Sequence, residues 1–214
     1  MLFSQMSPPP GEQAAFERWY DTDHITHRMA LPGFSRAHRL WDVDGDGHHL
    51  AVYELESLAA LETPAYQELK RAPGAQTEHF LGAVSGFTRF TTEQLSDRGV
   101  PGVVGAYLSV VAFAVPDDEV ADFEHWYADE HEPLLLAAPS WLRIHRYRVL
   151  SGDGGPWTHL ALHELADRAV MGSPERERAR NAPLRNELSG RPWFTASGRW
   201  LYRRSVTHYS TGTG

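Results

Sequence analysis

Four places separate Tyr20 from His24, and the same four separate Tyr127 from His131. On a helix that spacing puts phenol and imidazole on one face. A carboxylate beside each ring, Asp23 or Glu130, favours a protonated imidazole near neutral pH, the property of a general acid or base. The same position also suits a helix C-terminus, where a cation gains ~0.3–1 kcal/mol, and Trp19 and Trp126 beside these pairs read as packing. A second set lies in segments that alternate apolar and polar residues. His38 and His145 each follow an arginine by two places, Arg36 and Arg143, so a proton-transfer group and a cation share a strand face. That pairing suits enol or keto chemistry, in which the imidazole moves a proton and the guanidinium steadies an enolate or phenolate. Tyr53 and His163 are expected on the neighbouring strands. His38, His145, His24, His131, Tyr53 and His163 are therefore the candidate catalytic groups. Arg36, Arg143, Tyr20, Tyr127, Phe34, Trp141, Tyr147, His49 and His159 are the candidate substrate contacts.

Other chemistries fit less well. The run Asp42-Val43-Asp44-Gly45-Asp46-Gly47 opens like a calcium loop, but its twelfth position is Tyr53 and supplies no bidentate glutamate; a hairpin turn is expected there. His24 and His27 are three apart, yet Leu134 stands at the matching place in the second half, and no metal is expected. No glycine-rich phosphate loop occurs. With no cysteine, disulfides, thiolate metal sites and cysteine nucleophiles are excluded.

These residues recur because the sequence repeats itself. Phe16-Glu17-Arg18-Trp19-Tyr20 returns as Phe123-Glu124-His125-Trp126-Tyr127, and at the same offset Pro32 meets Pro139, Arg36 meets Arg143 and His38 meets His145. After a small insertion His49-Leu50-Ala51 lies over His159-Leu160-Ala161, and Arg89-Phe90 over Arg199-Trp200. Each half reads as strand, helix, two strands joined by a turn, a helical stretch and a last strand, the βαββαβ order of a ferredoxin-like unit. In the second half the spacing predicts a helix over 119–131, closed by Pro133. The expected organisation is a first repeat over 1–98, a second over 99–204 with 92–105 as linker, and a polar tail over 205–214. The fold class is α+β, with two tandem ferredoxin-like units forming an intramolecular α/β barrel.

A ferredoxin-like sheet carries helices on one face only, so alternation assigns the other face. Leu142, Ile144, Leu160 and Leu162 suit the helix side. Trp141, Arg143, His145 and Tyr147, with His159 and His163, are expected on the opposite face, as are Phe34, Arg36, His38, His49 and Tyr53. Filling a solid core with such groups costs ~1–3 kcal/mol for each unpaired one. Either a ligand cavity or a set of satisfied inter-sheet hydrogen bonds accounts for them.

The pattern Trp126-Tyr127…Glu130-His131-Glu132-Pro133 resembles the dimeric α/β-barrel superfamily, and within it the EthD-like group. The first half departs from it, with Ile25-Thr26 after His24. The resemblance spans both halves and implies a fused version of a barrel usually built by dimerisation. It also implies activities ranging from cofactor-free monooxygenases, polyketide cyclases and lactone isomerases to haem enzymes in tandem-repeat branches.

The chain is 214 residues long with a net charge of −8 and no Lys/Arg block, which argues against nucleic acid or an anionic membrane as partner. Met1 to Met6 carry no basic flank or long apolar run, so no leader is expected, and the cytoplasm is the default location, as monomer or homodimer. The leading expectation is a cofactor-independent enzyme using general acid–base catalysis (cyclisation, isomerisation, dehydration or oxygenation) on a small aromatic or polyketide-like metabolite. A haem enzyme of the same fold and a non-catalytic ligand-binding or stress-response module are the alternatives.

Overall fold

A computed structural model of the chain describes residues 1–43 and 47–210. Asp44 to Asp46, the centre of the expected hairpin turn, and the last four residues lie outside it. The chain is α+β. In hydrogen-bonding order its strands run β1-β3-β2-β8-β5-β7-β6-β4 and the ladder closes, the topology of an α/β barrel. Two compact units make up the chain. The first comprises Met1–Thr92, Ser151–Gly154 and Arg204–Gly214, and the second Glu93–Leu150 and Gly155–Arg203.

In the first unit β1 (Leu2–Ser7) leads to α1 (Gln13–Trp19), a π-helical turn (Tyr20–His24) and α2 (Ile25–Met29), then β2 (Phe34–Asp42) and β3 (His49–Leu55). A short 3₁₀ turn precedes α3 (Pro64–Arg71) and α4 (Ala75–Ala83), and β4 (Ser85–Gly99) closes the order. Thr63 caps α3, its hydroxyl accepting from the Tyr66 N–H, with Pro64 in the first turn where no donor is missed. Gly33 joins α2 to β2 at φ +81°, and a Cβ there would stand 2.7 Å from that of Ala60, so only glycine meets both conditions. Phe16, Trp19, Ile25, Phe34, Tyr53 and Phe80 fill the space between sheet and helices.

The second unit has the same order: β5 (Tyr107–Phe113), α5 (Val120–Trp126), a π-helical turn (Tyr127–His131), α6 (Glu132–Leu136), β6 (Trp141–Asp153) and β7 (His159–Leu165). Three short helices follow, α7 (Pro174–Arg180), α8 (Pro183–Leu188) and α9 (Pro192–Thr195), and then β8 (Gly198–Tyr209). Pro133 does not end the helix as expected. The π turn ahead of it lets the Glu132 N–H reach the Tyr127 carbonyl, Pro133 falls in the first turn of α6, and the Arg98 guanidinium donates to the Ala128 carbonyl at 2.9 Å. Two strands also outrun their expected ends. β4 continues into the expected linker as far as Gly99, and β8 continues into the expected tail as far as Tyr209.

Cross-strand register corrects the assignment of faces. β-bulges between Phe34 and Arg36 and between Trp141 and Arg143 break the alternation assumed from sequence. Phe34, Ala37 and Trp141 with Ile144 therefore pack on the helix side, while Arg36, His38, Arg143 and His145 take the other. In β3 and β7 the assignment reverses outright. Tyr53 and His49 lie against Tyr20 and Phe16, and His163 and His159 against Tyr127 and Phe123, so all four face the helices and Leu160 and Leu162 do not. Among the described residues, no helix is long and apolar enough to cross a membrane.

Candidate active site

The helix-facing side of the first unit holds a cavity of about 220 Å³, lined by β1, β3, the π turn, α2, α3, α4 and β4. Tyr20, His24 and Tyr53, three of the groups singled out from the sequence, meet there. His24 is 5% exposed, its ring 4.6 Å from that of Trp19 on one side and 4.6 Å from that of Tyr20 on the other. Its Nδ1 has no hydrogen-bond partner. The Tyr53 hydroxyl donates to that of Tyr20 at 3.4 Å. Trp19 is fixed in turn by its indole N–H donating to Thr77, itself part of the cavity wall, at 3.2 Å.

Burial sets the charge state of this cluster. The His24 imidazole is held well below its ordinary 6.5, first by loss of water and then by the cations Arg28 and Arg39. The sequence led us to expect the opposite, a ring raised by Asp23. Asp23 instead lies 3.6 Å from His27, and among the described residues no carboxylate offsets the burial of His24. Tyr53 is pushed well above its ordinary 10, chiefly by burial and next by Tyr20, so its hydroxyl stays a donor. The π turn keeps the Tyr20 and His24 rings in contact through a wider turn, the Ile25 N–H bonding to the Tyr20 carbonyl. Beneath Tyr20, the Arg39 guanidinium lies 3.7 Å from the ring centroid and donates to Asp21 at 3.0 Å.

The rest of the wall went unread in the sequence. Arg28 donates to the His24 carbonyl at 2.9 Å and Arg89 to the Tyr66 hydroxyl at 3.0 Å, and both line the cavity with Lys70, Leu81 and Phe87. Arg89 carried a signal, since it is one of the matched pairs of the repeat. Lys70, Leu81 and Phe87 carried none, because helix and strand positions at a rim have no distinctive spacing.

The remaining candidates lie elsewhere. His38 bonds Glu54 at 3.0 Å through Nε2 and Thr207 at 3.0 Å through Nδ1, with Arg36 3.6 Å from the same carboxylate. His145 stands 3.6 Å from Asp97, which Arg143 holds at 2.7 Å, and its ring stacks on that of Tyr147. His49 packs against Phe16 and Trp41 with its pKa drawn down by burial to about 3. His159 shares a hydrogen bond with Thr158, and Phe34 packs against Tyr53 and Tyr66.

In the second unit the matching residues form a hydrogen-bonded cluster. The Trp141 indole donates to His163 Nδ1 at 3.0 Å, which leaves the proton of the neutral ring on Nε2, donated to the Tyr127 hydroxyl oxygen at 2.9 Å. Burial lowers His163 to about 3 and raises Tyr127 far above its ordinary value. His131 packs on Trp126 and is likewise lowered by burial. Glu130, expected to assist it, instead accepts the Leu184 and Arg185 N–H groups at the start of α8, at 2.9 Å each. Phe194 and Trp193 pack against the rings of Trp126 and Phe123.

No group of three or more potential metal ligands occurs among the described residues. Haem does not fit the first unit's cavity. At about 220 Å³ it is smaller than ordinary drug-sized ligand pockets of ~300–1,000 Å³, and its one imidazole is packed against two aromatic rings, 4.6 Å from each.

The sequence matches no protein-family profile and no curated protein. Solved structures do resemble the fold. An anthrone oxidase-like protein superposes with a TM-score of 0.71 at 12% identity, over 99% of this chain and 93% of that one. A protein assigned as a monooxygenase from Lactobacillus acidophilus NCFM gives 0.61 at 9% identity, over 98% and 95%. A chlorite dismutase from Candidatus Nitrospira defluvii gives 0.52 at 12%, over 96% and 91%. Likeness at these identities establishes the fold, which hosts more than one chemistry.

Proposed function

We propose that the chain is a cofactor-independent enzyme that abstracts a proton from a small phenolic or enolisable aromatic metabolite, with His24 of the first unit as general base. The observation that carries this reading is a neutral, buried imidazole with an unpartnered nitrogen in the wall of a cavity that also holds Tyr20, Tyr53 and Arg28. The substrate proton passes to the imidazole and the electron pair stays on the substrate as an enolate or phenolate. Tyr20, Tyr53 and Arg28 steady that anion. The anion beside the ring offsets the burial that depresses its pKa, so the imidazolium is held only while the anion is present. Return of the proton to a different atom gives isomerisation, and loss of a leaving group gives dehydration or ring closure. The mostly apolar wall fits a flat aromatic body, and the likeness to an anthrone oxidase-like protein makes anthrones the first compounds to try. Two copies of one ancestral unit, the second filled by its own aromatic residues, complete this reading.

Mass spectrometry of a panel of anthrones and related enolisable aromatics incubated with the protein tests it. Formation of product by the wild-type chain, reduced roughly 10²–10⁴-fold in His24→Gln, is the expected result. Tight binding with every compound returned unchanged would instead identify a binding module.

A further inference from the structure

The charge of the first unit's cavity runs against that of the chain. The protein carries a net charge of −8, yet the cavity wall contains Arg28, Lys70 and Arg89 and no aspartate or glutamate. Among the described residues, none of the three cations is ion-paired to a carboxylate. They are also not evenly placed. Tyr20, Tyr53 and His24 are buried at 1%, 1% and 5% exposure. At the other extreme Lys70, in the last turn of α3, is exposed, and Leu81 and Phe87 are 39% and 40% exposed. The cavity therefore has a buried end built for proton transfer and an open end built from a cation and apolar side chains. Arg89, half-buried, spends one hydrogen bond on Tyr66 and retains further N–H donors, enough to grip a carboxylate in bidentate fashion.

We propose that this site selects an aromatic metabolite bearing a carboxylate, which Lys70 and Arg89 hold at the open end while the reacting centre lies beside His24. The inference rests on the cavity being the active site. A permanent anion at Lys70 and Arg89 leaves Arg28, which bonds the His24 carbonyl, to face the charge that develops during reaction. A carboxylate suits the site better than a phosphate. Among the described residues that line the cavity there is no glycine, so the glycine-rich loop that commonly cradles a phosphate is not part of its wall.

Calorimetric titration with 2-naphthoate, methyl 2-naphthoate and 2-naphthyl phosphate near neutral pH tests the assignment. The acid is expected to bind at least about tenfold more tightly than its ester, the size of one charge-assisted hydrogen bond. That preference should shrink in Lys70→Gln and in Arg89→Gln and persist in His24→Gln. Lys70 is exposed, so its variant keeps the fold even where Arg89→Gln does not, and a thermal melt confirms this for each. Equal binding of acid and ester, no binding of either, tighter binding of the phosphate, or a preference unchanged in both variants would overturn the proposal. The two readings fail separately. His24-dependent turnover of neutral aromatics without any preference for the acid removes this inference alone, and acid preference with turnover untouched in His24→Gln removes the general-base role alone.

Discussion

The imidazoles of His24, His49, His131 and His163 are all neutral for one reason, burial without a carboxylate partner. Their folded pKa values lie below the unfolded 6.5, so on acidification the unfolded chain takes up protons that the folded chain refuses. Folding stability from these groups is complete above pH 6.5 and is lost as pH falls below it, by up to about 1.4 kcal/mol per pH unit for each ring. Urea unfolding between pH 7.5 and 5 should show this slope, and His163→Gln should flatten it. For catalysis the acid limb lies at lower pH than that of an ordinary histidine base. His24 keeps its base form below pH 6.5, so kcat/KM should stay level as pH falls from 7.5 to 6, where an unperturbed imidazole would already lose activity. The sequence showed that Tyr20 and His24 belong together. It did not show the direction of the pKa shift, because that depends on Asp23 turning to His27 and on the depth of burial, neither of which spacing encodes.

At the scale of elements, the π turn and the bulges separate the helix that periodicity predicted from the one that formed. A 3.6-residue pattern and a π turn place the same residues on nearly the same face, so the Tyr–His pairing was legible and the wider turn was not. A bulge adds one residue to a strand and inverts every facing beyond it, which is why Arg36 and His38 were placed correctly while Phe34 was not. The turn also carries a difference between the units. In the second, Glu132 is fully buried and bonded to Arg146 at 2.8 Å, with Arg98 3.1 Å away; in the first, Ile25 occupies the matching place and Arg39 bonds Asp21. Arg146→Ala should therefore cost about 3–5 kcal/mol by leaving a buried carboxylate without its main partner. Replacing both members, Arg146→Met with Glu132→Leu, should cost far less, and denaturant melts of the two variants would show whether it does.

At the scale of the whole molecule, the two units share an element order and differ in what they do with it. Where the first sets Tyr53 against Tyr20 beside an open cavity, the second sets His163 between Tyr127 and Trp141 and packs Trp193 and Phe194 against the motif helix. The fold was legible because a repeat offset constrains many positions at once. The site was only half legible, because of its cations Arg89 alone belongs to a matched pair of the repeat, while Arg28 and Lys70 do not. The account predicts that the units are chemically unequal, with His24 as base and His131 as part of a packed core. The most direct measurement is solvent deuterium exchange at the enolisable carbon of a bound aromatic ketone, followed by NMR for the wild type, His24→Gln and His131→Gln. Exchange lost in His24→Gln and retained in a folded His131→Gln is the predicted result; exchange at the wild-type rate in His24→Gln would contradict it.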